Sequence, residues 1–174
     1  VCAGGTGSFI DHMATLLNTD PAGLNELAKQ CRTIHPIASR CGVFAKTDVQ
    51  ALMNDGAPKE DIAASILQAV VNQTISGLAQ GRAIRGKVAL LGGPLHFLSE
   101  LRRRFADTLG LAPDQVLSPE CSPYLVAIGA ALSPQGEPVS CEYFYAKTSP
   151  QRLGAGLSTD RPLAPLFRDD EEYR

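Results

Sequence analysis

The run Lys87-Val88-Ala89-Leu90-Leu91 opens directly into Gly92-Gly93-Pro94 and then into a helical pattern. This junction constrains the fold more than any other stretch of the chain. A short, continuous apolar run bounded by turn residues is the pattern of a strand covered on both faces, as in parallel sheets. A strand that passes straight into a helix through glycine is the joint of an α/β unit. Leu95, Leu98, Leu101, Phe105 and Leu109 then recur at helical spacing and predict one helix ending at Gly110. Gln115-Val116-Leu117 predicts a second short strand, and Ser122 to Leu132 a further helix. The small residues Ala127, Gly129, Ala130 and Ala131 on that helix suit close approach to another backbone.

The chain opens with a similar joint. Ala3-Gly4-Gly5-Thr6-Gly7 leads into Ser8 to Leu17, where Phe9, Met13 and Leu16 recur at helical spacing, and Asn18-Thr19-Asp20-Pro21 stops the pattern. A short helix is expected from Ala22 to Lys29. Cys31 to Arg40 has weak period and is broken by Pro36. Cys41-Gly42-Val43-Phe44-Ala45 reads as a short strand or an extended turn. Thr47 or Asp48 is expected to cap a helix through Met53, closed by Asn54-Asp55-Gly56. The strongest helical pattern covers 58–80. Pro58, Glu60 and Asp61 mark its first turn, and Ile62, Ile66 and Val70 run beside Ala63, Leu67, Val71, Ile75 and Leu78. So wide an apolar face predicts a core helix, packed on a sheet containing strand 87–91. Val139 to Ala146 is expected to be an antiparallel or edge strand.

Composition narrows the function classes. The 174 residues carry 16 Lys+Arg against 18 Asp+Glu, too balanced for a broad basic field that would hold nucleic acid. No uninterrupted apolar run reaches the roughly 18–20 residues of a membrane span. Five cysteines without a CxxC pair argue against a disulfide framework, and a reducing cytoplasm is expected. The chain begins at Val1 in what reads as the loop after a strand, which suggests a fragment of a longer protein. Residues 1–148 are expected to form one α/β lobe. Residues 149–174, proline-punctuated at Arg161-Pro162-Leu163-Ala164-Pro165 and acidic at Asp169-Asp170-Glu171-Glu172, are expected to be a linker.

Two glycine turns that feed helix starts are candidate anion cradles, because a helix N-terminus offers free N–H groups and about half a positive charge. The turns fit neither a Walker loop nor GxGxxG, and tight chain reversal explains them equally well. Cys2 and Cys41 both lie in turns beside glycines, with Arg40 next to Cys41 favouring a thiolate. As metal ligands they would be two of the four a compact cluster needs; as small apolar residues they need no function. His12, His35 and His96 are isolated, and Arg102-Arg103-Arg104 reads as a solvated helix face.

Cys2-Ala3-Gly4-Gly5-Thr6-Gly7-Ser8-Phe9 and Cys41-Gly42-Val43-Phe44-Ala45-Lys46-Thr47-Asp48 resemble the two cysteine segments of the activators of 2-hydroxyacyl-CoA dehydratases. The ATPase subunits of benzoyl-CoA reductase belong to the same family. Ile62 to Thr74, Val88 to Gly93 and Ala127-Ile128-Gly129-Ala130-Ala131 follow in the family's order, so the resemblance covers about residues 1–133. It implies an α/β fold, one lobe of an actin/Hsp70/sugar-kinase-like (ribonuclease H-like) ATPase. It also implies ATP or ADP with Mg between two lobes, and one [4Fe–4S] cluster shared by the two subunits of a homodimer or pseudo-dimer. The implied activity is ATP-driven delivery of a low-potential electron to a 2-hydroxyacyl-CoA dehydratase, drawn from a donor such as ferredoxin or flavodoxin. By motif, Cys2 and Cys41 would be cluster ligands. Gly4, Gly5, Thr6, Gly7, Asp48, Gly92 and Gly93 would belong to the nucleotide site. Lys46 and Thr47 replace the family's acidic residues, and the phosphate loop and catalytic residues of the other lobe would lie upstream, leaving the isolated chain inactive. No nucleic acid or membrane partner is expected. The alternative is a non-redox sugar or acyl kinase-like, or regulatory, nucleotide-binding lobe of the same superfamily.

Overall fold

The computed structural model describes residues 7–39, 41–133 and 139–148. The chain divides into two compact units, Val1–Leu132 and Ser133–Arg174.

In the first unit, helices α1 (Gly7–Leu16), α2 (Pro21–Ala28), α3 (Gly42–Asn54) and α4 (Lys59–Ala79) precede strand β1 (Val88–Ala89). Then come α5 (Gly93–Phe97), α6 (Ser99–Leu109), strand β2 (Val116–Leu117) and α7 (Leu125–Leu132), the last after a 3₁₀ turn at Ser122–Tyr124. β1 and β2 pair in parallel, Val88 opposite Val116 and Ala89 opposite Leu117. The parallel joint expected from the 87–91 run is thus present, with a strand core of two residues.

The core is built around α4. Ile62, Ala63, Ile66, Leu67, Val70 and Val71 are buried. They meet Ile10, Met13 and Leu17 of the α1 region, Leu24 of α2, Val49 of α3, and Leu101 and Phe105 of α6 in one cluster. The sheet reaches this cluster through Leu90 and the half-buried Val88 and Val116. The expectation that 58–80 packs mainly on a sheet is therefore corrected, since α4 is enclosed by α1, α2, α3 and α6. By length and mean hydropathy α4 alone among the described residues qualifies as a membrane span, and half of it is buried inside the fold.

Three further expectations are corrected. The 41–45 segment is neither strand nor extended turn, because α3 begins at Gly42 and Val43 and Phe44 lie exposed on its first turn. The pattern Leu95 to Leu109 is two helices, broken at Leu98, whose backbone is extended at φ −100° and ψ 97°. In the second unit, 139–146 is not a strand, because Cys141–Thr148 forms helix α8. The Ser140 hydroxyl accepts from Tyr143 N at 3.1 Å, an N-cap that competes successfully with the β propensity of Tyr143, Phe144 and Tyr145.

Candidate nucleotide and cysteine site

Three helix starts are brought together. A β-carbon placed on Gly7, the first residue of α1, would lie 3.9 Å from Cγ of Pro94, in the first turn of α5. One placed on Gly42, the first residue of α3, would lie 3.7 Å from the ring of Phe9. Phe9 is buried on α1 and so seats the start of α3 against the start of α1. Both distances are ordinary van der Waals contacts, so the helix starts meet there without crowding. The N-terminal N–H groups of α1 and α3 supply the positive ends of helix dipoles to this region.

Gly92 is fixed by its backbone. Its φ of 102° and ψ of 167° lie in a region that essentially only glycine adopts. Its N–H donates to Ser122 O at 3.2 Å, and its carbonyl accepts from His96 N at 2.9 Å. Gly93 is constrained neither by backbone nor by space: a β-carbon there would meet nothing within 4 Å, so its surface is open to a ligand. Arg102 fastens the far end of α5, its guanidinium donating to Leu95 O at 2.7 Å and His96 O at 2.5 Å. Arg102 is thus not part of a merely solvated basic face.

Cys41 is the N-cap residue of α3, half-buried, with no side-chain capping bond. Its carbonyl accepts from Ala45 N at 2.9 Å. Asp48, on the second turn of α3, accepts from Ala38 N at 2.7 Å through Oδ2. Cys2, Gly4, Gly5 and Thr6 lie outside the described residues, as does Arg40. The proximity of Cys2 to Cys41, and the glycine loop before Gly7, therefore fall outside the described geometry. Among the described residues no three His, Cys, Asp or Glu side chains gather as a metal site. A thiol at a helix start suits one position of an iron–sulfur ligand set, and the remaining ligands would come from outside the described residues.

Sequence reasoning missed what holds the segment before Cys41. Asp61 Oδ1 accepts from Arg32 N at 2.7 Å and Thr33 N at 3.1 Å. The Ser65 hydroxyl accepts from His35 N at 2.8 Å and donates to Asp61 O at 2.6 Å. Residues 31–39 are thus a strap tied to α4 by Asp61 and Ser65 and to α3 by Asp48. The available signal was two polar residues, one turn apart, on the otherwise apolar face of 58–80. The two N–H donors hold the Asp61 carboxyl below its ordinary value of 3.8, that of Arg32 first. Cys31, whose thiol donates to Thr33 O at 3.4 Å, is pushed above its ordinary value of 9.0, chiefly by burial. A second missed device caps α6, whose own N-cap is Leu98. Asn25 Oδ1 of α2 accepts from Glu100 N at 2.9 Å, and its Nδ2 donates to Ser99 Oγ at 3.2 Å.

Comparison with known proteins supplies a context for these features. Residues 1–133 match the model of the BadF/BadG/BcrA/BcrD ATPase family. The (R)-2-hydroxyglutaryl-CoA dehydratase activating ATPase of Acidaminococcus fermentans is 34% identical over 131 residues, covering 75% of this chain and 48% of that protein. The 2-hydroxyisocaproyl-CoA dehydratase activator of Clostridioides difficile is 30% identical over 131 residues, covering 75% of this chain and 47% of that protein. Their solved structures superpose at TM-scores of 0.66 for the Acidaminococcus component A and 0.64 for the Clostridium activator with bound ADPNP. These cover 75% of this chain and 49% and 47% of the respective chains. The fold is therefore part of the actin-like ATPase fold of the activators. The chain spans about half the length of the relatives it matches.

Proposed function

Since the chain belongs to the BadF/BadG/BcrA/BcrD ATPase family, we propose that it forms one lobe of an ATP-dependent activator of a 2-hydroxyacyl-CoA dehydratase. The observation that carries this reading is the meeting of the α1 start with the Gly92-Gly93-Pro94 turn at Gly7 and Pro94. Two helix starts and an open glycine turn suit a polyphosphate and its attached nucleoside, with Mg neutralising the phosphate charge. Gly4, Gly5, Thr6 and Gly7 approach the phosphates in this reading. Gly92 and Gly93 border the adenosine, and Asp48 keeps Oδ1 for a ribose hydroxyl while Oδ2 holds the strap. The bound ADPNP of the Clostridium relative supports a nucleotide as the ligand.

Cys2 and Cys41 are our candidates for the [4Fe–4S] ligands of a site completed by a second copy. When bound, such a cluster supplies one-electron transfer at low potential. This chain's part is to present the half-buried Cys41 at the N-cap of α3, beside the exposed Val43 and Phe44 of its first turn. The partners in this reading are the dehydratase, a cytoplasmic electron donor and a second copy of the lobe. Hydrolysis requires groups beyond this chain, so the isolated lobe binds nucleotide weakly and turns it over negligibly.

Calorimetry with Mg and ADPNP tests the nucleotide reading: weak binding is expected, abolished by Gly93→Val. Tight, micromolar binding by this chain alone, or binding unaffected by Gly93→Val, would overturn it. Anaerobic reconstitution with iron and sulfide tests the cluster. A brown dimer is expected, colourless with Cys41→Ser or Cys2→Ser, and full iron in both variants sinks the assignment.

A further inference from the structure

We propose that the Ser122 hydroxyl is a positioning group for the Gly92-Gly93 turn, reserved for a hydrogen bond that the turn makes when it closes on a nucleotide. This role rests on the nucleotide reading of the turn and adds to it a residue outside the glycine motifs.

Five polar residues are buried among the described residues: Asn25, Asp61, Ser65, Glu100 and Ser122. Four of them are paired through their side chains. Asn25 holds Ser99 and the Glu100 N–H, and Asp61 takes two N–H groups of the strap. Ser65 both accepts and donates, and Glu100 takes the Arg103 guanidinium. Ser122 is the exception. It is 2% exposed, and its Oγ is shut off from solvent with no hydrogen-bond partner. A buried hydroxyl in that condition destabilises the fold, and native proteins hold few of them. An oxygen of this kind points to a second arrangement in which it is used.

The chain around Ser122 denies it a local partner. Its own N–H already occupies the Pro119 carbonyl at 2.9 Å, and the next residue, Pro123, has no N–H to give. What lies beside it is the glycine turn, since the Ser122 carbonyl accepts from Gly92 N at 3.2 Å. The turn has a donor to place as well. Gly93 N, at the first position of α5, finds no acceptor among the described residues, as is usual for the first N–H groups of a helix. A ligand pressing on the open flank of Gly93 would shift these N–H groups against Ser122. Oγ and the carbonyl oxygen belong to one residue, so a small shift carries a Gly92 or Gly93 N–H from one to the other. The turn thereby has two anchored positions, and the nucleotide selects the second.

The test compares the 174-residue chain with its Ser122→Ala and Ser122→Cys variants, the second of which keeps the bulk of the side chain. Without nucleotide, Ser122→Ala should leave the urea midpoint unchanged or raise it. Ser65→Ala, which removes a paired hydroxyl, should lower it. In NMR titrations with Mg and ADPNP, both Ser122 variants should bind about fivefold more weakly than the parent, the worth of one neutral hydrogen bond. At equal saturation the Gly92 and Gly93 amides should exchange more slowly in the parent than in either variant, a difference that a merely structural hydroxyl would not make. Equal affinity in parent and variants overturns the role of Ser122 and leaves the nucleotide reading standing. No binding by the parent overturns both. A lowered midpoint for Ser122→Ala without nucleotide also overturns the role, because the hydroxyl would then be paired already.

Discussion

Asp61 and Arg32, twenty-nine residues apart, are joined by a 2.7 Å bond in which a single carboxylate oxygen also takes the N–H of Thr33. Those bonds depress the folded-state carboxyl below 3.8. The unfolded chain therefore binds more protons over the window between the two values, and stability there rises with pH. The contribution is complete above 3.8 and is lost as the pH falls through that value to the folded one. Asp61→Asn keeps an acceptor but not the charge. Its urea midpoint should fall less than that of the parent on acidification from neutral pH to below 3.8. Parallel acid limbs would refute the link.

Ser65→Ala removes the acceptor for His35 N from a buried position on α4. Leaving that donor unpaired should cost about 1–3 kcal/mol in urea denaturation. Exchange of the 31–39 amides should rise more than that of α4, because the strap is released before the core opens.

Asn25→Ala should be destabilising by about 1–3 kcal/mol, since it strips α6 of the acceptor that its own N-cap residue cannot provide. Asn25→Asp keeps that acceptor and should recover most of the loss, as judged from the same midpoints.

Gly92→Ala and Gly93→Ala should separate backbone strain from ligand access. The first forces a side chain into a conformation reserved for glycine, at a cost of about 1–3 kcal/mol. The second meets open space and should leave the thermal midpoint within a few degrees of the parent. Equal losses in the two variants would contradict the geometry.

Cysteine alkylation at mildly alkaline pH should leave Cys31 until after the exposed Cys121 and Cys141, because burial both shields its thiol and raises it above 9.0. Peptide mapping over time reads the order directly.

Period and punctuation made much of the fold legible. Ile62, Ile66 and Val70 announced α4, and the apolar run into Gly92-Gly93-Pro94 announced the parallel joint. What escaped was decided by partners distant in sequence or by a single side chain. Asn25 starts α6 from 74 residues away, so local pattern around Leu98 could not reveal the break. Cys41 offers no capping side-chain bond, and Val43 and Phe44 favour strands, so nothing local marked the start of α3. Ser140 did mark α8, but the aromatic run after it pointed the other way. In the candidate site, Gly92 was legible because its turn needs a backbone conformation reserved for glycine, and Gly7, Gly42 and Gly93 because they stand at helix starts. The role of Asp48 in holding Ala38 was not, since the strap it ties has no period of its own.

Helix α5 is five residues long and flanked at both ends by non-helical residues, Gly92 and Leu98. Left alone, so short a rod would swivel at either joint. The Arg102 guanidinium grips the carbonyls of both Leu95 and His96 and so locks the Leu98 joint against α6. The glycine joint is tied as well, Gly92 N–H donating to Ser122 O at 3.2 Å, so α5 is clamped at both ends. Any displacement of α5 would therefore have to carry with it α6, and through α6 the α4 helix on which α6 packs.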